Sequence, residues 1–120
     1  MRAEPSPPPR RLRGLPWATA AGRRVPVARR PLARVLGLAL LDRDRAGPGL
    51  LIPRCRSVHT FGMRFAIEVV FLDASGRVVS RHGDVRPGRV VADRRGTSVL
   101  ELPSLPEPSR ALDSVAVDGR

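Results

Sequence analysis

A small, mainly β domain, an antiparallel sandwich or barrel carrying one short helix, is the fold this sequence predicts, and three observations predict it. The chain has 120 residues, enough for one core and too few for two. Within residues 57–72, SVHTFGMRFAIEVVFL, apolar and polar side chains alternate from position 61 onward, the period of a strand with one buried face. Beyond it, short apolar runs recur at about ten-residue spacing between turn signals, which favours a sandwich or barrel over a parallel sheet with crossover helices.

The opening MRAEPSPPPRRLRG joins a proline run to arginines and offers almost nothing to bury. Ordering it would cost about 1–2 kcal/mol per residue without compensation, so residues 1–14 are expected to be a disordered basic tail. LPWATAAGRRVPVA, residues 15–28, reads as two short extended pieces around Ala21-Gly22, with Pro16 and Pro26 confining them to strand ends or an edge. Pro31 suits a first helical turn, and Leu32, Val35, Leu36, Ala39 and Leu40 follow with helical spacing up to Asp42. Gly37 lies in the middle of that run and offers an earlier end. Gly47-Pro48-Gly49 breaks the chain before a brief apolar strand, Leu50 to Ile52.

The long strand is expected over residues 61–72, with Phe61, Met63, Phe65, Ile67, Val69 and Phe71 on its buried face and Val70 and Leu72 marking an end covered on both sides. Asp73-Ala74-Ser75-Gly76 supplies the turn of a hairpin whose return strand runs from Arg77 to His82. Further turns fall at Arg86-Pro87-Gly88-Arg89 and Asp93-Arg94-Arg95-Gly96, with strands at Val90-Val91-Ala92 and Thr97 to Leu102. Residues 103–120 form a proline-containing extension in which ALDSVAV leaves room for one last element.

Charge points toward phosphates, and its distribution weakens that inference. The net charge is +11, every one of the 22 basic residues is arginine, and lysine, asparagine, glutamine and tyrosine are absent. Such a pattern suggests a GC-rich coding sequence more than selection for charge. Eight arginines against Glu4 leave residues 1–31 at +7, whereas residues 32–102 interleave twelve arginines with seven acids. Nucleic-acid contact is therefore expected to be weak, sequence-blind and carried by Arg10, Arg11, Arg13, Arg23, Arg24, Arg29 and Arg30. Three phenylalanines and one tryptophan leave little for base stacking. The most apolar window, Leu32 to Leu41, contains Arg34 and is too short to cross a bilayer, and no secretory signal pattern is present. A cytoplasmic protein is expected. Cys55 is the only cysteine, so no disulfide forms within the chain.

The run Cys55 to Asp73, CRSVHTFGMRFAIEVVFLD, with its continuation DASGRVV, resembles the DUF 192 family of domains of unknown function. The resemblance extends back through Leu36-Gly37-Leu38 and Gly49-Leu50-Leu51-Ile52 and forward to Val99-Leu100-Glu101-Leu102, roughly residues 15–102. It implies a largely β sandwich or barrel with one helix, and it implies no activity, substrate or cofactor. Glu68 stands where the family usually has aspartate, Ala66 where it often has proline, and Pro103-Ser104 where it usually has glycine.

Five residues are candidates for a ligand site: Cys55, His59, Thr60, Arg64 and Glu68. Arg64, Glu68 and Thr60 share the polar face of the expected strand, and convergent polar groups on a rigid scaffold are what a pocket requires. The plainer reading of that face is a solvated surface with a cross-strand ion pair. Cys55 and His59 have the chemistry of a thiol and its base. In a regular strand they would lie about 13 Å apart, so a dyad needs a bend between them. The plainer reading of Cys55 is a small, inert, buried thiol. No metal-ligand spacing appears among Cys55, His59, His82 and the carboxylates, and neither a metal nor a cofactor is expected.

The leading expectation is a noncatalytic module that binds a small molecule or a protein partner. A hydrolase-like or metal-assisted enzyme using Cys55, His59 and Glu68, and a weak electrostatic nucleic-acid binder, are the alternatives. Convergence of Cys55, His59 and Glu68 in one cleft would favour the enzyme, and an arginine-lined concavity without them would favour the binder.

Overall fold

The computed structural model describes residues 8–104 and is mainly β with one short helix. A hairpin of β1 (Trp17–Ala20) and β2 (Arg23–Pro26) is followed by helix α1 (Pro31–Leu36). Six further strands follow: β3 (Leu50–Pro53), β4 (Ser57–His59), β5 (Ile67–Leu72), β6 (Val78–Val85), β7 (Val90–Ala92) and β8 (Ser98–Pro103). The central sheet has the order β3-β8-β5-β6 with every pair antiparallel, and β4 pairs with β7 in a separate ribbon. A parallel bridge from Val27 to Leu51 ties the hairpin to the edge of the central sheet. The sheets do not close into a barrel.

Strand periodicity explains the layering. Ile67, Val69 and Phe71 of β5 and Val99 of β8 point to one face, where they pack with Leu12, Ala33, Leu38, Val58, Met63 and Phe65. Val70 and Leu72 with Leu100 and Leu102 point to the other, where Ala20 and Val25 of the hairpin cover them. The two central strands are thus buried on both sides, as Val70 and Leu72 predict.

The expected long strand is interrupted by bonds to residues distant in sequence, from Thr60 to Arg86 and Arg89. The strand expected over residues 61–72 starts only at Ile67, as β5, while β4 ends at His59. Between them Gly62 takes φ +80° and Met63 N–H closes a turn onto Thr60 O (3.2 Å). Met63 and Phe65 still reach the core from this loop, but Phe61 is 54% exposed and stacks on His59, with ring centroids 5.5 Å apart. Within the stretch expected to be a disordered tail, Pro8–Gly14 includes a 3-10 turn at Arg10–Leu12. Leu12 is buried in the core, and the Arg11 guanidinium donates to Gly37 O (3.1 Å) and to Ala39 O. Residues 1–7 and the expected element in ALDSVAV lie outside the described residues.

Helix α1 stops where its sequence dictates. Gly37 adopts φ +55° and ψ −126°, a conformation that side-chain-bearing residues avoid. The helical spacing of Leu32, Val35 and Leu40 consequently does not define a core face, since all three are more than half exposed. Ala33, Leu38, Ala39 and Leu41 are buried instead. The hairpin turn is as its residues predict: Asp73 Oδ1 accepts from the Ser75 hydroxyl (2.7 Å), Arg77 N–H (3.0 Å) and Ser75 N–H (2.9 Å), and these bonds, the hydroxyl's first, hold the Asp73 carboxyl below its ordinary range.

Candidate functional site

The five candidate residues separate into different places, and three of them line two of the concavities. The wider, about 560 Å³, is lined by Asp42, Arg43, Arg64, Phe65, Ala66, Asp84 and Arg86. Three chain segments bring its arginines together. Arg43 belongs to a 3-10 turn after α1, donates to Ser104 O, and lies over the Phe65 ring at 5.2 Å. Arg64 comes from the loop between β4 and β5 and pairs with Asp42 at 3.0 Å. Arg86 opens the turn between β6 and β7.

Thr60 lines neither of these concavities. It is fully buried, and its hydroxyl donates to Arg86 O (2.7 Å) and accepts from Arg89 N–H (2.8 Å). Its backbone joins the same turn through Thr60 N–H to Arg89 O (2.8 Å) and Gly88 N–H to Thr60 O (3.1 Å). The effect is to pin the turn that carries Arg86 at the rim of the basin. Glu68 lines neither concavity. Its carboxylate accepts from Arg81 on the neighbouring strand β6 at 3.0 Å, the cross-strand ion pair of the plainer reading.

Cys55 and His59 both line a second cavity of about 60 Å³, with Arg34–Gly37, Ile52, Ser57, Val58 and Glu101. The bend they require precedes β4. Arg54 takes φ +51°, and the half-buried Cys55 thiol turns back to donate to Ser57 O at 3.2 Å. His59 Nδ1 is buried and has no hydrogen-bond partner. The carboxyl in this cavity is Glu101, not Glu68.

Glu101 sits in β8 directly between Leu50 of β3 and Val69 of β5, and it is 2% exposed. Burial pushes its carboxyl up from an ordinary 4.5 to about 7, opposed only by the bond from Leu38 N–H to Oε1 (3.3 Å). Gly37 makes the approach possible, since a Cβ there would stand 2.6 Å from Oε1. The sequence signal was present and opposed: Glu101 shares a face with Val99, so it turns inward wherever that face is covered. Read as simple alternation, the same strand places Glu101 in water.

Among the described residues, no three of His, Cys, Asp and Glu come together as a metal site, and no helix is long and apolar enough to cross a membrane. No curated protein matches the chain. Two solved structures share the fold. One is a protein of unknown function from Novosphingobium aromaticivorans, 17% identical, with a TM-score of 0.58 over 92% of this chain and 87% of that one. The other, from Sinorhizobium meliloti and described as a candidate transcription regulator, is 23% identical with a TM-score of 0.54 over 81% of this chain and 82% of its own. At these identities the likeness is one of fold. The family model DUF192, described as "Uncharacterized ACR", matches residues 17–105, a span holding every strand and both concavities, and the chain belongs to that family.

Proposed function

We propose that the domain is a noncatalytic binding module whose ligand is a small organic anion, a carboxylate or phosphate ester, held in the basin of Arg43, Arg64 and Arg86. The observation that carries this reading is that three arginines from separate segments line one concavity of about 560 Å³, a volume suited to a small-molecule ligand. Guanidinium forks match the paired oxygens of such anions. Asp42 and Asp84 temper the basin without neutralising it. The Arg64–Asp42 pair is more than half exposed on both sides, and an exposed pair is worth at most about 1 kcal/mol, so Arg64 can exchange its partner for a ligand. Glu68 pairs with Arg81 and does not line the cavity of Cys55 and His59, which weighs against the enzyme that would use all three.

Two measurements test the reading together. Native mass spectrometry of the purified protein should show a retained small anion, and calorimetric titration with citrate and with glycerol phosphate should show saturable binding. Arg64→Ala and Arg86→Ala should each weaken that binding by about tenfold, the loss of one charge-assisted contact. Absence of a retained anion together with no calorimetric binding, or binding indifferent to both substitutions, would sink it.

A further inference from the structure

A cavity of about 440 Å³ opens where the β1–β2 hairpin meets β3, and it shares no lining residue with the arginine basin. β3 is an edge strand of the central sheet, and its outer side is taken up by the chain leaving β2 and by a cation. Leu51 O accepts from Ala28 N–H (2.8 Å), and Pro53 O accepts from the Arg34 guanidinium (2.6 Å), which also donates to Arg54 O (3.3 Å). Pro53 has no N–H to offer a further strand, so the edge is blunted there. Arg34 is held by these bonds and keeps its charge. Of the eight described residues around the cavity, three are arginines, Arg29, Arg34 and Arg54, and none is an acid. The other five are apolar: Ala18, Leu51 and Pro53 are half-buried, and Val27 and Ala28 are buried. The basin, by contrast, sets two aspartates among its arginines.

We propose that this cavity is a separate binding site that takes a carboxylate with an aliphatic body of medium length. The arginines select the head. A carboxylate accepts paired bonds from a guanidinium, whereas a neutral apolar molecule would displace water from arginine-lined surface and give no anion in return. The apolar residues select the body. A fully hydrated anion such as inorganic phosphate leaves all five of them uncovered, whereas each methylene laid against them is removed from water. The length follows from the volume: eight carbons and two oxygens at roughly 30 Å³ each come to about 300 Å³, which the cavity of about 440 Å³ accommodates.

The test uses the intact 15N-labelled chain, octanoate as the probe, and the Ala28 and Leu51 amide resonances as the readout, so that this site reports its own affinity whatever binds elsewhere. Both resonances should shift and saturate. Acetate has the head without the body, and octan-1-ol has the body without the head. Each should need at least about tenfold more ligand for the same shift. Arg29 and Arg54 are exposed, and Arg29→Ala and Arg54→Ala should each weaken octanoate about three- to tenfold, the loss of one charge-assisted contact open to solvent. Arg94→Ala, which removes the same charge from the turn after β7, should change nothing. Ala28 and Leu51 resonances that octanoate leaves unmoved, acetate or octan-1-ol binding as well as octanoate, or an affinity indifferent to both Arg29→Ala and Arg54→Ala would each overturn the proposal. The acetate and octan-1-ol arms use the unmodified sequence and stand even if a variant does not fold.

Discussion

A carboxyl buried between Leu50 and Val69 holds its proton more tightly than one in water, because burial disfavours the charged form. The consequence for stability has a definite sign. The folded value is about 7 against an ordinary 4.5, so the folded chain holds the proton more tightly than the unfolded one. Glu101's contribution is fully present below pH 4.5 and lost as pH rises through about 7, a total of about 3 kcal/mol. Thermal midpoints should therefore fall between pH 5 and pH 8. Arg34, Cys55 and His59 line the same cavity, so the fair measure is the difference between the wild-type and Glu101→Gln profiles, and a Gln profile that falls just as steeply would refute the assignment. Asp73 and Asp93 are shifted in the opposite direction and weaken the fold only at acid pH, outside this window. A second residue-scale test concerns the loop before β5. Phe65 is buried under Arg43 and Phe61 lies in solvent. Phe65→Ala should cost about 3–5 kcal/mol and Phe61→Ala within about 0.5 kcal/mol by chemical denaturation. Equal losses would restore the continuous strand that the alternation alone suggests.

Elements bounded by turn chemistry were legible in the sequence, and elements bounded by tertiary contacts were not. Asp73 and Gly76 announce the β5–β6 turn through local bonds, and Gly37 announces the end of α1 through its backbone. The break after His59 is different. Thr60 is drawn out of the strand by its bonds to Arg86 and Arg89, about thirty residues away in sequence, and no local pattern encodes that. The place of Leu12 in the core is hidden for a related reason: one leucine in a polar stretch carries no periodicity. The candidate site divided likewise. Cys55 and His59 line one cavity, but its carboxyl arrives from β8, and Arg64 joins arginines from segments that sequence spacing cannot relate. The N-terminal segment accordingly has a structural role. Leu12→Ala should cost about 2 kcal/mol or more, and deletion of residues 1–13 should lower the thermal midpoint further, because it also removes the Arg11 bonds to Gly37 O and Ala39 O. An unchanged midpoint on deletion would show that this segment packs without stabilising.

Over the whole molecule, positive charge is concentrated at the N-terminal side. From residue 32 to residue 102 arginines are interleaved with acids, as in the pairs Arg64–Asp42, Arg81–Glu68 and Arg95–Asp93. Residues 1–31 hold eight arginines against Glu4. Their folded part presents Arg10, Arg23, Arg24 and Arg29 to solvent, while Arg11 is committed to backbone carbonyls and Arg30 to Arg13 O. A surface of this kind attracts a polyanion without reading it. Each phosphate neutralised releases condensed counterions, so the logarithm of affinity should fall linearly with the logarithm of salt, with a slope of about 0.9 per contact. Fluorescence anisotropy with two unrelated DNA duplexes should give equal affinities, weaker than about 1 μM at physiological salt. Replacing Arg10, Arg23, Arg24 and Arg29 together with alanine should flatten the salt slope by up to about four contacts while leaving the fold intact, because none of the four side chains is buried. Arg64→Ala and Arg86→Ala should leave the slope nearly unchanged, since their basin includes two aspartates. Binding that distinguishes the duplexes at physiological salt, or that survives loss of the four arginines, would place nucleic-acid recognition in the folded domain itself.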